Sequence, residues 1–166
     1  MLFIIITKVH FSQCWNNVVA GGYHNLTLKT DATIWTWGWN FYGQLGDGTT
    51  TSVGLPLKPV TATNWQRIDA GSGHNLVIKT DGTLWAWGSN YLSELGDGTS
   101  VNKGTPQQIG TATNWATIYA GDLYSMAIKT DGTLWTWGRN FDGESGKRAA
   151  PSVVNAPTQT VTGTNR

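Results

Sequence analysis

The chain repeats itself with a fixed step. The string beginning at Lys29, KTDATIWTWG, returns as KTDGTLWAWG from Lys79 and as KTDGTLWTWG from Lys129, 50 residues apart each time. Trp15, Trp65 and Trp115 keep the same phase, as do Gly21, Gly71 and Gly121, and Gly46, Gly96 and Gly146. A constant period of this length means one supersecondary unit copied along the chain, each copy needing a neighbour to bury its apolar face. The sequence divides accordingly into repeats at 15–64, 65–114 and 115–166, with residues 1–14 ahead of the first.

Within the middle repeat, Trp65–Ala70 reads as a short strand closed by Gly71. His74–Thr80 and Thr83–Trp87 are β-rich runs joined by Asp81-Gly82, a pair that suits a two-residue type I′ hairpin. Ala32 stands where the first repeat would need that glycine, which puts the type I′ geometry in question there. After a turn-rich segment from Gly88 to Gly98, Thr105–Ile109 supplies a fourth strand, with Pro106 marking an outer edge. No segment has helical periodicity.

Strand alternation places Trp85 and Trp87 on one side and Leu84 and Ala86 on the other. Both sides are apolar, so the sheet must be covered on both. Four-stranded blades fanned around an axis satisfy that requirement. Each tryptophan can bury ~150–250 Å², worth up to about 4–6 kcal/mol at ~25 cal/mol per Å². The expected fold is all-β: a partial β-propeller of three four-stranded blades, with the tryptophan pair packing blade against blade. Three blades are too few for a closed ring, since propellers run from about four to eight. The run Leu2–Ile6 reads as a strand remnant of a preceding repeat, being shorter than a signal peptide's apolar region. Thr162–Arg166 parallels Thr111–Trp115, so a fourth repeat is expected to begin there, and open blade faces are expected to drive self-association.

Ala70-Gly71, His74, Asp81-Gly82, Trp87-Gly88, Asn90 and Glu94–Gly98 with Pro106 together resemble the repeat of the regulator of chromosome condensation family. Trp37–Gly46 matches that pattern more fully still. The resemblance spans about residues 15–165 and implies β-propeller blades. It also implies specialised roles seen in that family, among them guanine-nucleotide exchange on a small GTPase, for which the present sequence offers no distinguishing insertion.

Composition narrows the function further. The net charge is +1, 13% of residues are charged, and the basic ones are scattered, so neither nucleic acid nor a membrane surface is an expected partner. The single Cys14 can form no internal disulfide and reads as a buried thiol. His24 and His74 recur, but Tyr124 takes their place in the third repeat and no carboxylate or thiol accompanies them at ligand spacing, so they read as scaffold and no metal or other cofactor is expected. The recurring Asp31, Asp81 and Asp131 read as turn formers. No nucleophile elbow, phosphate loop or metalloprotease motif is present, so the chain reads as non-catalytic.

Positions that differ between repeats are where recognition is expected, because a rigid scaffold presents its specificity on loops. These are Tyr23, Ser72, Asp122 and Leu123 after the first strand, and Trp39, Ser89 and Arg139 with Tyr42 after the Trp-Gly pair. The leading expectation is a protein-interaction module. A carbohydrate-binding propeller using exposed Trp and Tyr rings is the alternative. The Thr-, Asn- and Trp-rich, Lys-poor composition leans toward a bacterial, extracytoplasmic setting.

Overall fold

The computed structural model describes residues 14–146 and 151–160. The strand expected at Leu2–Ile6 and the segment 162–166 lie outside them. The described residues form three four-stranded antiparallel sheets, each paired in chain order. The first holds β1 (Trp15–Ala20), β2 (His24–Lys29), β3 (Ile34–Gly38) and β4 (Val53–Leu57). The second holds β5 (Trp65–Ala70), β6 (His74–Lys79), β7 (Leu84–Gly88) and β8 (Lys103–Gln108). The third holds β9 (Trp115–Ala120), β10 (Tyr124–Lys129), β11 (Leu134–Arg139) and β12 (Val153–Gln159). The ends of β1, β5 and β9 converge, Gly22 N–H donating to Ser72 O at 3.1 Å and Ser72 N–H to Asp122 O at 3.3 Å. The sheets are blades of a partial, open propeller. Pro106 falls on β8, the outermost strand of its blade, where a missing N–H breaks no ladder.

Two apolar clusters hold the blades together, and strand parity explains which residue joins which. Trp65, Ile68, Val77 and Trp87 face blade 1 and pack with Leu26, Leu28 and Ile34. The other parity of the same blade, Leu76, Ile78, Leu84 and Ala86, faces blade 3 and packs with Trp115, Ile118, Ala127 and Trp137. Apolar residues on both parities are thus two interfaces on one sheet.

The two tryptophans of each pair do different work. Trp87 is fully buried, and its indole N–H crosses to the Gln44 carbonyl of blade 1 at 3.0 Å. Trp137 makes the same bond to Glu94 O of blade 2 at 2.8 Å. A side chain at Gly46 or Gly96 would sit 2.7 Å from these indoles, so the loop of one blade must be bare backbone where the next blade's ring lies over it. Trp85 stays half-buried within its own blade, edge-on to Trp65 at 5.9 Å, with Lys79 Nζ 3.7 Å from its ring centre. The expectation that both rings wedge neighbouring blades therefore holds in full for Trp87 and only in part for Trp85.

The hairpin is not type I′. Gly82 N–H donates to Lys79 O at 2.9 Å and Lys79 N–H to Thr83 O at 3.1 Å, a three-residue loop. Gly82 is left-handed at φ 77°, and Asp81 is not. This is a type I turn closed by a glycine bulge. Asp81 earns its place through its side chain: Oδ1 accepts from Thr83 N–H at 3.0 Å and Thr83 Oγ1–H at 2.6 Å, while Thr83 Oγ1 accepts from Trp85 Nε1–H at 2.9 Å. Those bonds hold the Asp81 carboxyl below its ordinary range, the Thr83 hydroxyl contributing most.

Ala32 keeps the same turn at φ 59°, against the doubt its missing glycine raised. A left-handed alanine costs ~1–2 kcal/mol, partly offset by glycine's greater freedom when unfolded. Ala32→Gly should therefore stabilise the protein by about 0.5–1 kcal/mol, read as a higher urea midpoint. Gly82→Ala should destabilise more than Gly132→Ala, because a Cβ at Gly82 would lie 2.0 Å from Thr113 O whereas one at Gly132 would meet none of the described residues.

Cys14 is exposed, not buried. It leads into β1, whose outward face has no blade against it among the described residues, so the cover available to Asn64 and Asn114 at the same repeat position is missing.

Candidate functional site

Successive strands of a blade run in opposite directions, so the β1–β2 turn and the long β3–β4 loop emerge at the same end. That loop pairs with no strand over most of its length, and a buried asparagine organises it from within. Asn40 Nδ2 donates to Thr49 O and Thr51 O, both at 3.1 Å, and Oδ1 accepts from Leu45 N–H at 2.8 Å. Asn90 repeats these bonds in blade 2. One side chain with both donors and its acceptor engaged fixes about a dozen residues of irregular backbone.

On this rigid platform stand five aromatic rings in mutual contact. Trp39 N–H donates to Tyr23 O at 2.8 Å, which locks loop to turn. Tyr23 meets Trp39 edge-to-face at 5.9 Å, Trp39 stacks on Phe41 at 5.9 Å, and Trp39 meets Tyr42 at 5.0 Å. Tyr42 continues the row to Tyr91 of blade 2 at 5.3 Å. Tyr23, Phe41 and Tyr91 are all more than half exposed, and Tyr23 with Trp39 lines an open cleft. The five rings form an uncharged apolar surface across two blades, held by geometry that favours aromatic pairs.

Of the candidates named from sequence, Tyr23, Trp39 and Tyr42 are brought together here. Ser72 lies half-buried beside the axis, its backbone occupied between blades 1 and 3. Ser89 is buried and donates its hydroxyl to Glu94 Oε1 at 2.6 Å, so it braces the loop and is not on the surface; the variation that singled it out reflects that internal bond. Asp122 is exposed and Leu123 half-buried on blade 3. Arg139, at Trp39's position one repeat pair later, binds Asp142 Oδ2 at 2.6 Å and Glu144 Oε1 at 3.3 Å. Its charge is answered within its own blade. Phe41 and Tyr91, not among those candidates, complete the row. Their signal was a third aromatic in phase, Phe141, and all three are exposed, at 63%, 59% and 57%.

The recurring histidines are structural. His24 Nε2 bonds Asn75 Oδ1 at 2.9 Å, and Asn75 Nδ2 donates to Gln44 O at 2.8 Å, so the histidine carries its proton on Nε2. His74 repeats this with Ser125 Oγ at 2.9 Å, which itself donates to Glu94 O at 2.7 Å. Each Nδ1 is buried without a partner. Burial, reinforced by the nearby His24, pushes the His74 pKa down to about 3. Among the described residues no group of three or more His, Cys, Asp or Glu side chains could hold a metal ion.

The regulator of chromosome condensation (RCC1) repeat model matches residues 31–78 and 81–128, and a second model of the same repeat matches 15–44, 65–93 and 115–144. No curated protein matches the chain by sequence. Among solved structures, Prp20p of Saccharomyces cerevisiae superposes with a TM-score of 0.79 at 22% identity, over 87% of this chain and 38% of that one. Human WBSCR16 superposes at 0.77 with 20% identity, over 89% and 39%. Yeast RCC1 (Prp20) bound to Kap60 superposes at 0.77 with 21% identity, over 87% and 36%. The chain thus spans less than two fifths of each of these relatives, and the likeness is one of fold. With the repeat models covering more than half of its length, the chain belongs to the regulator of chromosome condensation repeat family.

Proposed function

We propose that the protein is a non-catalytic interaction module whose loop rim grips a protein partner through Tyr23, Trp39, Phe41, Tyr42 and Tyr91. The observation that carries this reading is the continuous row of exposed rings on a preorganised loop platform. Rigid aromatics supply large contact area at little entropic cost, and Trp and Tyr dominate binding hot spots. The family lends support: Prp20p has binding properties toward Gsp1p and histones, and yeast RCC1 has been solved bound to Kap60. The partner of this chain is expected to offer an apolar or aromatic surface, because the ring row carries no charge.

Affinity capture with the wild-type chain, followed by titration of the captured protein, tests the proposal. Trp39→Ala should weaken that binding by about 2 kcal/mol or more, roughly 30-fold, as expected for a central anchor. Phe141→Ala, on blade 3, should leave it unchanged. Sugar-stacking is the competing use of such rings, so a glycan array that lights up with the wild type and goes dark with Trp39→Ala would replace this reading with a lectin.

A further inference from the structure

The joint between blades 2 and 3 contains a cleft of about 490 Å³, a size typical of small-molecule sites. Blade 2 contributes Gly110 and Ala112 to its walls, and blade 3 contributes Trp115, Lys129, Trp135 and Pro157. One substitution between repeats accounts for the opening. In the first joint the position is Val60, which packs on the apolar cluster there beside Ala62 and Trp85. One repeat later it is Gly110, which is exposed, and a Cβ at Gly110 would meet no described atom within 4 Å. The walls are the facing sides of two joined blades, so the opening owes nothing to what precedes blade 1 or follows blade 3.

The cleft gathers donors that lack acceptors. Lys129 Nζ lies 4.0 Å from the Trp135 ring centre and 4.8 Å from that of Trp115, and it makes no ion pair among the described residues. Ring faces steady an ammonium but accept no strong hydrogen bond from it. Trp115 is 5% exposed, and its indole Nε1 is buried without an acceptor among the described residues. The acid in the lining, Asp97, is already answered. Its Oδ2 meets Lys103 Nζ at 3.2 Å, and its Oδ1 accepts from Asn90 Nδ2 at 3.0 Å and from Thr99 N–H at 2.9 Å. What the site lacks is therefore an acceptor with negative charge, because a sheltered donor left unmatched is costly and a charged acceptor makes the stronger bond. Ala112, Trp135 and Pro157 supply an apolar wall for the rest of such a molecule.

We infer that this cleft binds a small aromatic carboxylate, its charged end on Lys129 and its ring against Trp135 and Pro157. The carboxylate also offers the acceptor that the Trp115 indole lacks. Lys79 and Trp65 repeat the two donors in the first joint, Lys79 Nζ lying 3.7 Å from the Trp85 ring centre, but Val60 stands there in place of Gly110. That joint is a control built into the same molecule. The site is separate from the aromatic rim and does not rest on the reading given to it.

An NMR titration of the isotope-labelled chain with hydrocinnamate, read on the indole N–H signals, tests this. Trp115 and Trp135 should shift saturably with a Kd on the order of 1 mM, as expected for so small a ligand, while Trp65, Trp85 and Trp39 stay in place. Hydrocinnamide, which keeps the shape and loses the charge, should bind at least about 10-fold more weakly, and Lys129→Met should bring the acid down to the level of the amide. Comparing acid with amide needs only the wild-type chain, so it decides the matter even where Lys129→Met fails to fold. No saturable shift, equal binding of acid and amide, full affinity in a folded Lys129→Met, or shifts at Trp65 and Trp85 as large as those at Trp135 would each overturn the inference.

Discussion

Trp87→Ala is expected to cost about 3–5 kcal/mol of unfolding free energy, the range for emptying a fully buried tryptophan site. The ring has no exposed surface, and the cavity would lie between two sheets that cannot close on it without breaking their own ladders. Loss of the ring also leaves Gln44 O with one donor in place of two. Trp87→Phe should retain much of the packing and lose about 1 kcal/mol for the missing N–H bond. Trp37→Ala should cost less than Trp87→Ala, because among the described residues no blade covers the same position on blade 1 and Trp37 is only half-buried. Since each blade contacts only its neighbours, Trp87→Ala should also uncouple blade 1, and its urea transition should broaden or split where that of the wild type is single.

Acid should weaken the protein well above the range in which carboxylates titrate. His74 is neutral when folded, with its pKa pushed down to about 3 by burial, and titrates near 6.5 when unfolded. At pH above 6.5 neither state binds the proton and the full stability is present. Below it only the unfolded chain is protonated, so stability falls by about 1.4 kcal/mol per pH unit down to about pH 3. His24, also lowered by burial against the opposing bond from Asn75, steepens the fall. The turn aspartates contribute in a separate window: the Thr33, Thr83 and Thr133 hydroxyls lower the pKa values of Asp31, Asp81 and Asp131, so what those groups add is lost only below about 3.8. Urea midpoints between pH 7 and 4.5 should therefore show the histidine slope, and His74→Gln should reduce it by one proton's worth.

Much of the architecture could be read from spacing. The period located the blades, and apolar residues on both parities of Leu84–Trp87 announced a sheet covered twice, which the two clusters around that blade show. The hairpin was misread because Asp-Gly suits two turns equally. Only the pairing of Ile78 with Leu84 shows that Thr80 belongs to the loop as well. Trp85 and Trp87 share a face by alternation, but how far each lies from the neighbouring loop is a tertiary quantity that sequence does not encode. At the rim, comparing repeats separates constant from variable positions. It singled out Tyr23, Trp39 and Tyr42, which lie in one aromatic row, and it broke down at both ends of its logic. Ser89 varies although buried, because it answers Glu94, while the aromatic at 41, 91 and 141 is constant although exposed. Constancy between repeats signals shared structure only where the residue is covered, and cover is set by the fold.

The joint between blades is most directly tested by hydrogen exchange at the ten indole N–H groups, assigned by single Trp→Phe substitutions. Trp87 and Trp137, buried and bonded to the preceding blade's loop, should exchange only through large-scale opening, with protection approaching that of the core amides of β6 and β10, whereas Trp37 should exchange rapidly in dilute solution. Exchange of Trp87 and Trp137 as fast as that of Trp37 would show that these rings do not bridge the blades and would contradict the account at its base.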